Sequence, residues 1–180
     1  MQILLVTGGA GFIGSNFVRY FLRRNKNFMV VNLDKLTYAG NIENLRELDN
    51  SPRHHFIKGD ICNYELVNYV LKKYKPDFVI NFAAESHVDR SINNPSIFGE
   101  TNFMGTLTLL QGIRSVWGRS KTKRNRFIQI STDEVYGSAD KKDEYFLEET
   151  GLAPNSPYSS SKAAADLMVR AFSKTYGIPA

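Results

Sequence analysis

A short apolar run, Ile3 to Val6, passes directly into Thr7-Gly8-Gly9-Ala10-Gly11-Phe12-Ile13-Gly14, and an amphipathic stretch from Phe12 to Arg24 follows. No other feature constrains the fold as tightly. Glycine is needed where a strand turns sharply into a helix and where backbone must approach a pyrophosphate closely, and the helix N-terminus then offers unpaired N–H groups and positive dipole to the phosphates. A tight strand-to-helix turn favours glycine for purely structural reasons too, so the context has to carry the functional reading. That context is Asp34, which ends a second apolar run 20 residues after Gly14. An acid there is expected to accept hydrogen bonds from the adenosine ribose hydroxyls of a bound dinucleotide. Its charge repels a ribose phosphate and favours NAD over NADP, while Lys35 next door weakens that preference without reversing it.

The same alternation continues along the chain. Short runs rich in β-branched and aromatic residues recur at Phe28 to Leu33, His55 to Ile57, Phe78 to Phe82 and Phe127 to Ile130. They are near-continuously apolar, as strands covered on both faces should be. Helix-length segments separate them at Tyr64 to Tyr74, roughly Ser96 to Trp117, and Pro157 to Tyr176. The order implies an α/β fold, a doubly wound parallel sheet of Rossmann type with helices on both faces, whose ligands bind beyond the carboxyl ends of the strands. Motifs at strand ends therefore carry extra weight. Gly177 suits a helix terminator and Ile178 a further strand, so residues 1–180 read as one cofactor-binding domain interrupted partway.

Composition removes other classes. Cys62 is the single cysteine of 180 residues, which excludes an internal disulfide, and no Cys/His cluster has metal-ligand spacing. No apolar run approaches the ~18 residues of a membrane span. Met1-Gln2-Ile3-Leu4-Leu5-Val6 runs into the glycine turn instead of a signal-peptide cleavage region, so a cytoplasmic protein without membrane contact is expected. The formal charge of +5 arises in one segment, where Arg119, Lys121, Lys123, Arg124 and Arg126 stand without an acid; outside it, positive and negative groups are equal at 18 each. Without interleaved aromatics it reads as a solvated loop, and no nucleic-acid partner is expected. His54, His55 and His87 lack partners at ligand or triad spacing and read as surface or packing residues, as Cys62 reads as packing.

Three further strand ends concern chemistry. Asp60-Ile61 follows the third strand, and Ala83-Ala84-Glu85-Ser86 follows the fourth, where small residues suit either a cofactor lying flat on the sheet or tight helix packing. The fifth strand ends in Ser131-Thr132-Asp133-Glu134. Neighbouring strand side chains point to opposite faces, so both carboxylates reach one site only if the chain leaves the strand there, which Gly137 allows. Two carboxyl groups in different surroundings titrate apart, one serving as acid and one as base, as elimination of water across a carbon–carbon bond requires. In the last helix Ser156 suits the cap and Pro157 the first position. Tyr158 and Lys162 then share one face near its start, where an ammonium and the helix dipole would stabilise a phenolate base.

Taken together, TGGAGFIG (7–14), DKLTYAGN (34–41), NFAAESHVDRS (81–91), STDEVYG (131–137) and YSSSK (158–162) resemble the extended short-chain dehydrogenase/reductases, and within them the dTDP-glucose 4,6-dehydratases. The resemblance implies that Tyr158 takes the proton of a sugar carbon-4 hydroxyl as hydride leaves that carbon for NAD, and that Thr132 hydrogen bonds to the same oxygen. It implies that Glu134 removes the carbon-5 proton, Asp133 protonates the departing carbon-6 hydroxyl, and hydride returns to carbon 6, with Lys162 holding the nicotinamide ribose. Cofactor contacts carried over are Gly8, Gly11, Phe12, Ile13, Gly14, Asp34, Lys35, Leu36, Thr37, Asp60, Ile61, Phe82, Ala83, Ala84, Glu85, Ser86 and Thr101, with Ser86 and Thr132 also near substrate. Such enzymes dimerise through helices matching Ser96 to Trp117 and Pro157 to Tyr176, and continue into a C-terminal sugar-nucleotide domain. A sugar-nucleotide epimerase or decarboxylase, or a noncatalytic NAD-binding module, are the other readings.

Overall fold

The computed structural model describes residues 1–118, 125–138 and 145–180. Five parallel strands form one sheet: β1 (Gln2–Thr7), β2 (Phe28–Asp34), β3 (His54–Lys58), β4 (Phe78–Asn81) and β5 (Arg126–Gln129), in spatial order β3-β2-β1-β4-β5. The chain winds outward from β1 to β3, then crosses to the other side of β1 to continue through β4 and β5. The order therefore reverses between β1 and β4, which is where a doubly wound sheet opens a crevice at its carboxyl edge.

Helices cover both faces because successive strand residues point to opposite sides. In β1, Leu4 and Val6 pack with Val30 and Ile80 against Val18 and Leu22 of α1 (Phe12–Arg24). Leu5 packs on the opposite face with Val31, Val79 and Phe127. There it meets Val67 and Leu71 of α2 (Tyr64–Tyr74), Leu109, Leu110 and Ile113 of α5 (Gly105–Trp117), and Phe172 of α6 (Pro157–Tyr176). Each such fully buried aliphatic side chain contributes about 1.5–3 kcal/mol.

Local chemistry sets the helix ends. Asn63 caps α2 by accepting from the Leu66 N–H at 3.0 Å. Ser156 and Ser159 form a reciprocal capping box on α6 with Pro157 at its start, and Gly177 ends that helix at φ +70°. No strand forms over 178–180, yet Ile178 is buried and the Pro179 carbonyl accepts the Phe127 N–H at 2.8 Å, so the chain returns alongside β5.

The stretch from Ser96 to Trp117 is not one regular helix. It comprises α4 (Pro95–Phe98), a π-helical turn (Gly99–Met104) and α5, preceded by a short α3 (Val88–Asn93). Two 3₁₀ segments, Ile42–Leu48 and Asp133–Tyr136, complete the described elements. Of the basic segment, positions 119–124 lie outside the described residues, and Arg126 is exposed on β5. Among the described residues no helix is long and apolar enough to cross a membrane, and no cluster of three metal-ligating side chains occurs.

Candidate active site

One cavity of about 590 Å³ opens at the carboxyl edge of the sheet and runs from the β2 and β3 ends, past the glycine turn, to the start of α6. The glycines shape its floor. Gly8 adopts φ +71°, and a Cβ there would lie 2.5 Å from the Ala83 nitrogen; a Cβ at Gly14 would lie 2.2 Å from the Gly8 carbonyl oxygen. Gly11 caps α1 without any side-chain hydrogen bond, so the first-turn N–H groups have no cap to satisfy them. Phe12 and Ile13 of that turn remain exposed at the cavity wall. Open backbone donors at a helix N-terminus suit a pyrophosphate.

Asp34, at the end of β2, is buried and braces the turn. One carboxylate oxygen accepts the Ala10 N–H and the other the Leu36 N–H, each at 2.8 Å. A carboxylate has about four lone-pair positions, so acceptors remain for ligand hydroxyls. Lys35 lies beside it, its ammonium 2.6 Å from an Asp60 carboxylate oxygen. Asp60 in turn accepts the Cys62 N–H at 2.9 Å. Burial pushes the Cys62 thiol up to about 12, with Asp60 adding to the effect, which fits a packing residue rather than a nucleophile.

The end of β4 is held from behind. The Phe82 N–H donates to the Thr7 carbonyl at 2.9 Å. The Asn102 side chain then clamps Glu85 on both sides, accepting its N–H at 2.8 Å and donating to its carbonyl at 2.9 Å, while also donating to the Ser161 hydroxyl at 2.8 Å. One Glu85 carboxylate oxygen is buried without a hydrogen-bond partner. Such an atom on a cavity wall suits a donor from a bound molecule. Together with the uncapped α1 terminus and the cradle that a Cβ at Gly8 would fill, it means the residues present fit a dinucleotide.

At the far end, Tyr158 packs edge-on against Phe98, with ring centroids 6.2 Å apart. Lys162, one turn later, is buried and donates from Nζ to the Ile130 carbonyl. Burial holds the Lys162 ammonium below its ordinary range, with Asp166 opposing. Burial likewise pushes the Tyr158 phenol up; the neighbouring Thr132 hydroxyl opposes this, while the Glu134 and Asp133 carboxylates add to it. Lys162 is engaged by a backbone carbonyl, and the charges acting on Tyr158 are those of the neighbouring carboxylates.

The chain leaves β5 before the two carboxylates. Thr132 caps the 133–136 turn, its hydroxyl accepting the Glu134 N–H at 3.3 Å, and Gly137 closes it at φ +116°. Asp133 is exposed and Glu134 half-buried, so the two carboxylates sit in different surroundings.

Most sequence-derived positions line this cavity, from Gly8, Gly11, Phe12, Ile13 and Gly14 through Asp34, Lys35, Thr37, Asp60, Ile61, Phe82 to Ser86, Thr101, Tyr158 and Lys162. Thr132, Asp133 and Glu134 stand just outside its lining, beside Tyr158. Leu36 does not line it: at φ +56° its amide serves Asp34 and its side chain packs with the α1-side core. Of the small residues at the β4 end, Ala83 lines the cavity and also packs on the α5-side core. His87, which the sequence presents as a surface or packing residue, stands at the N-cap position of α3 without a side-chain cap bond and lines the cavity next to Tyr38, 6.0 Å between rings. Tyr38, Ala39 and Gly40 were missed as well. The signal for all four was adjacency, since they sit inside the DKLTYAGN and SHVDRS stretches.

The fold recurs in known proteins. The dTDP-glucose 4,6-dehydratase of Xanthomonas campestris pv. campestris (strain B100) is 53% identical over 182 aligned residues, covering 99% of this chain and 51% of that protein. The crystal structure of a Streptomyces venezuelae dTDP-glucose 4,6-dehydratase with NAD bound matches at a TM-score of 0.88 and 48% identity, over 98% of this chain and 53% of the other. The NAD complex of the Thermus thermophilus UDP-glucose 4-epimerase matches at 0.84 and 31%, over 98% and 52%. The chain thus spans about half the length of the relatives it matches. The sequence profile of the GDP-mannose 4,6 dehydratase family matches residues 5–180, and the chain belongs to that family.

Proposed function

We propose that the protein carrying this chain binds NAD and dehydrates dTDP-glucose to dTDP-4-keto-6-deoxyglucose. One observation carries the reading. The Thr132–Glu134 turn stands beside Tyr158 at one end of a cavity whose other end is the uncapped glycine turn. For a 4-epimerase or decarboxylase the Tyr158/Lys162 pair would suffice, and both carboxylates would be incidental.

The dinucleotide would be held by the α1 N-terminus at its pyrophosphate, by Asp34 at a ribose, and by the β4 end with Lys162 at the nicotinamide side. When bound, it supplies a hydride acceptor for carbon 4 and a hydride donor for carbon 6. The chain's residues move the protons. Tyr158, as phenolate, accepts the carbon-4 hydroxyl proton, and Thr132 donates to the oxygen that becomes the ketone. That ketone acidifies the carbon-5 hydrogen, which the Glu134 carboxylate takes. Asp133, exposed and able to exchange protons with water, protonates the carbon-6 hydroxyl, which leaves as water. Glu134 then returns a proton to carbon 5, and Tyr158 is reset by the solvent. Ser86, on the cavity wall, contacts the sugar.

The same reading places the enzyme in the cytoplasm, in deoxysugar biosynthesis for cell-surface polysaccharides. It acts as a homodimer through the π-turn, α5 and α6, where Met104 and Leu167 are about half exposed. Incubation of the full-length protein with dTDP-glucose should give a product lighter by one water with no accumulation of reduced nicotinamide. Unchanged substrate in the presence of bound NAD would overturn the reading.

A further inference from the structure

The cations among the cavity-lining residues are Lys35 and Lys162. Lys162 is buried at the Tyr158 end and committed to the Ile130 carbonyl. Lys35 therefore stands alone at the other end, directly after Asp34, the acid facing the adenosine ribose. A lysine so placed would ordinarily welcome a 2′-phosphate, whose charge is about −1.5 to −2 near pH 7 by analogy with other phosphomonoesters. The structure shows what prevents this. The Lys35 ammonium sits 2.6 Å from one Asp60 carboxylate oxygen, and the other oxygen is fixed by the Cys62 amide at 2.9 Å.

We propose that Asp60 sets the choice between NAD and NADP by sequestering Lys35, so that the Asp34 charge meets the ribose unopposed. The inference rests on the dinucleotide reading above. The pair is mutually reinforcing: Asp60 holds the Lys35 ammonium above its ordinary range. Partial burial resists ionisation of Asp60, but Lys35 and the Cys62 amide outweigh it and hold the carboxyl below its ordinary range. Lys35 is half exposed, so once released its flexible stem is free to swing toward the ribose.

Asp60→Asn removes the charge while keeping an oxygen for the Cys62 amide. Dissociation constants for NAD+ and NADP+ are measured by calorimetry for the unsubstituted protein, Asp60→Asn, Lys35→Met and the double variant. Any contact Asp60 itself makes with the shared adenosine affects both dinucleotides and cancels in their ratio. The ratio should move toward NADP+ by roughly fivefold to tenfold in Asp60→Asn, the effect of one charge at a partly exposed site. In Lys35→Met, which leaves the Asp60 charge unpaired, it should move away from NADP+ or stay at the unsubstituted value, and in the double variant, where both charges are gone, it should return to the unsubstituted value. NAD+ binding with an unmoved ratio in Asp60→Asn, or a shift that survives loss of Lys35, overturns this proposal alone. Absence of NAD+ binding in the unsubstituted protein overturns it together with the reading beneath it.

Discussion

Tyr158 and Lys162 lie one turn apart on α6 and line the same cavity, yet the Lys162 ammonium donates to the Ile130 carbonyl, and Tyr158 faces the Thr132–Glu134 turn. The phenol is raised by burial and by two carboxylates. Without ligand, Tyr158 should therefore ionise above the ordinary tyrosine range. Between the ordinary pKa and the raised one, the folded state keeps a proton that the unfolded state releases, so this group's contribution to stability falls as pH rises through that window. The tyrosinate absorbance difference between the protein and Tyr158→Phe reads it directly; ionisation below the ordinary value would contradict the geometry.

Two glycine substitutions should separate steric need from mere preference. A Cβ at Gly8 would collide with the Ala83 backbone at φ +71°, whereas one at Gly11 would meet the Gly8 carbonyl oxygen at 3.4 Å. Gly8→Ala should cost more than about 3 kcal/mol in urea denaturation and Gly11→Ala about 1 kcal/mol or less.

Asp34→Ala leaves the Ala10 and Leu36 N–H groups without their acceptor. A loss of about 1–3 kcal/mol is expected, together with loss of NAD binding. If stability is unchanged, Asp34 does not brace the turn.

Asp166 accepts the Ser131 hydroxyl just before the Thr132–Glu134 turn, and burial pushes its carboxyl up despite that bond and the nearby Lys162. Its ionised form therefore costs stability at neutral pH, and the cost is relieved as pH falls through the raised value. Asp166→Asn should raise the denaturation midpoint at neutral pH, with an advantage that shrinks on acidification. A uniform loss at every pH would contradict this.

The sheet was legible because β1, β2 and β4 are covered on both faces and so are apolar almost throughout, with Leu4 and Leu5 serving opposite cores. The glycine turn, Asp34 at the β2 end and the Ser156–Pro157 start of α6 were legible for local reasons. What stayed hidden depends on partners distant in sequence. The Lys35–Asp60 pair, the Asn102 clamp on Glu85 and the attachment of Lys162 to Ile130 leave no periodicity. The short α3 and the 42–48 segment, where Ile42, Leu45 and Leu48 recur every third residue, are too short to establish a period, and the π turn at 99–104 lies inside a run that stays helical from 95 to 117, as the apolar pattern presents it.

In the proposed reaction Glu134 and Asp133 carry out elimination after oxidation at carbon 4, and replacing Glu134 with Gln in the full-length protein separates the two steps. The variant should still remove hydride from carbon 4 of dTDP-glucose, seen as reduced-nicotinamide absorbance appearing on the enzyme, and should form no product lighter by one water. Dehydration at the unsubstituted rate in Glu134→Gln, or a carbon-4 epimer as the product of the unsubstituted enzyme, would contradict it.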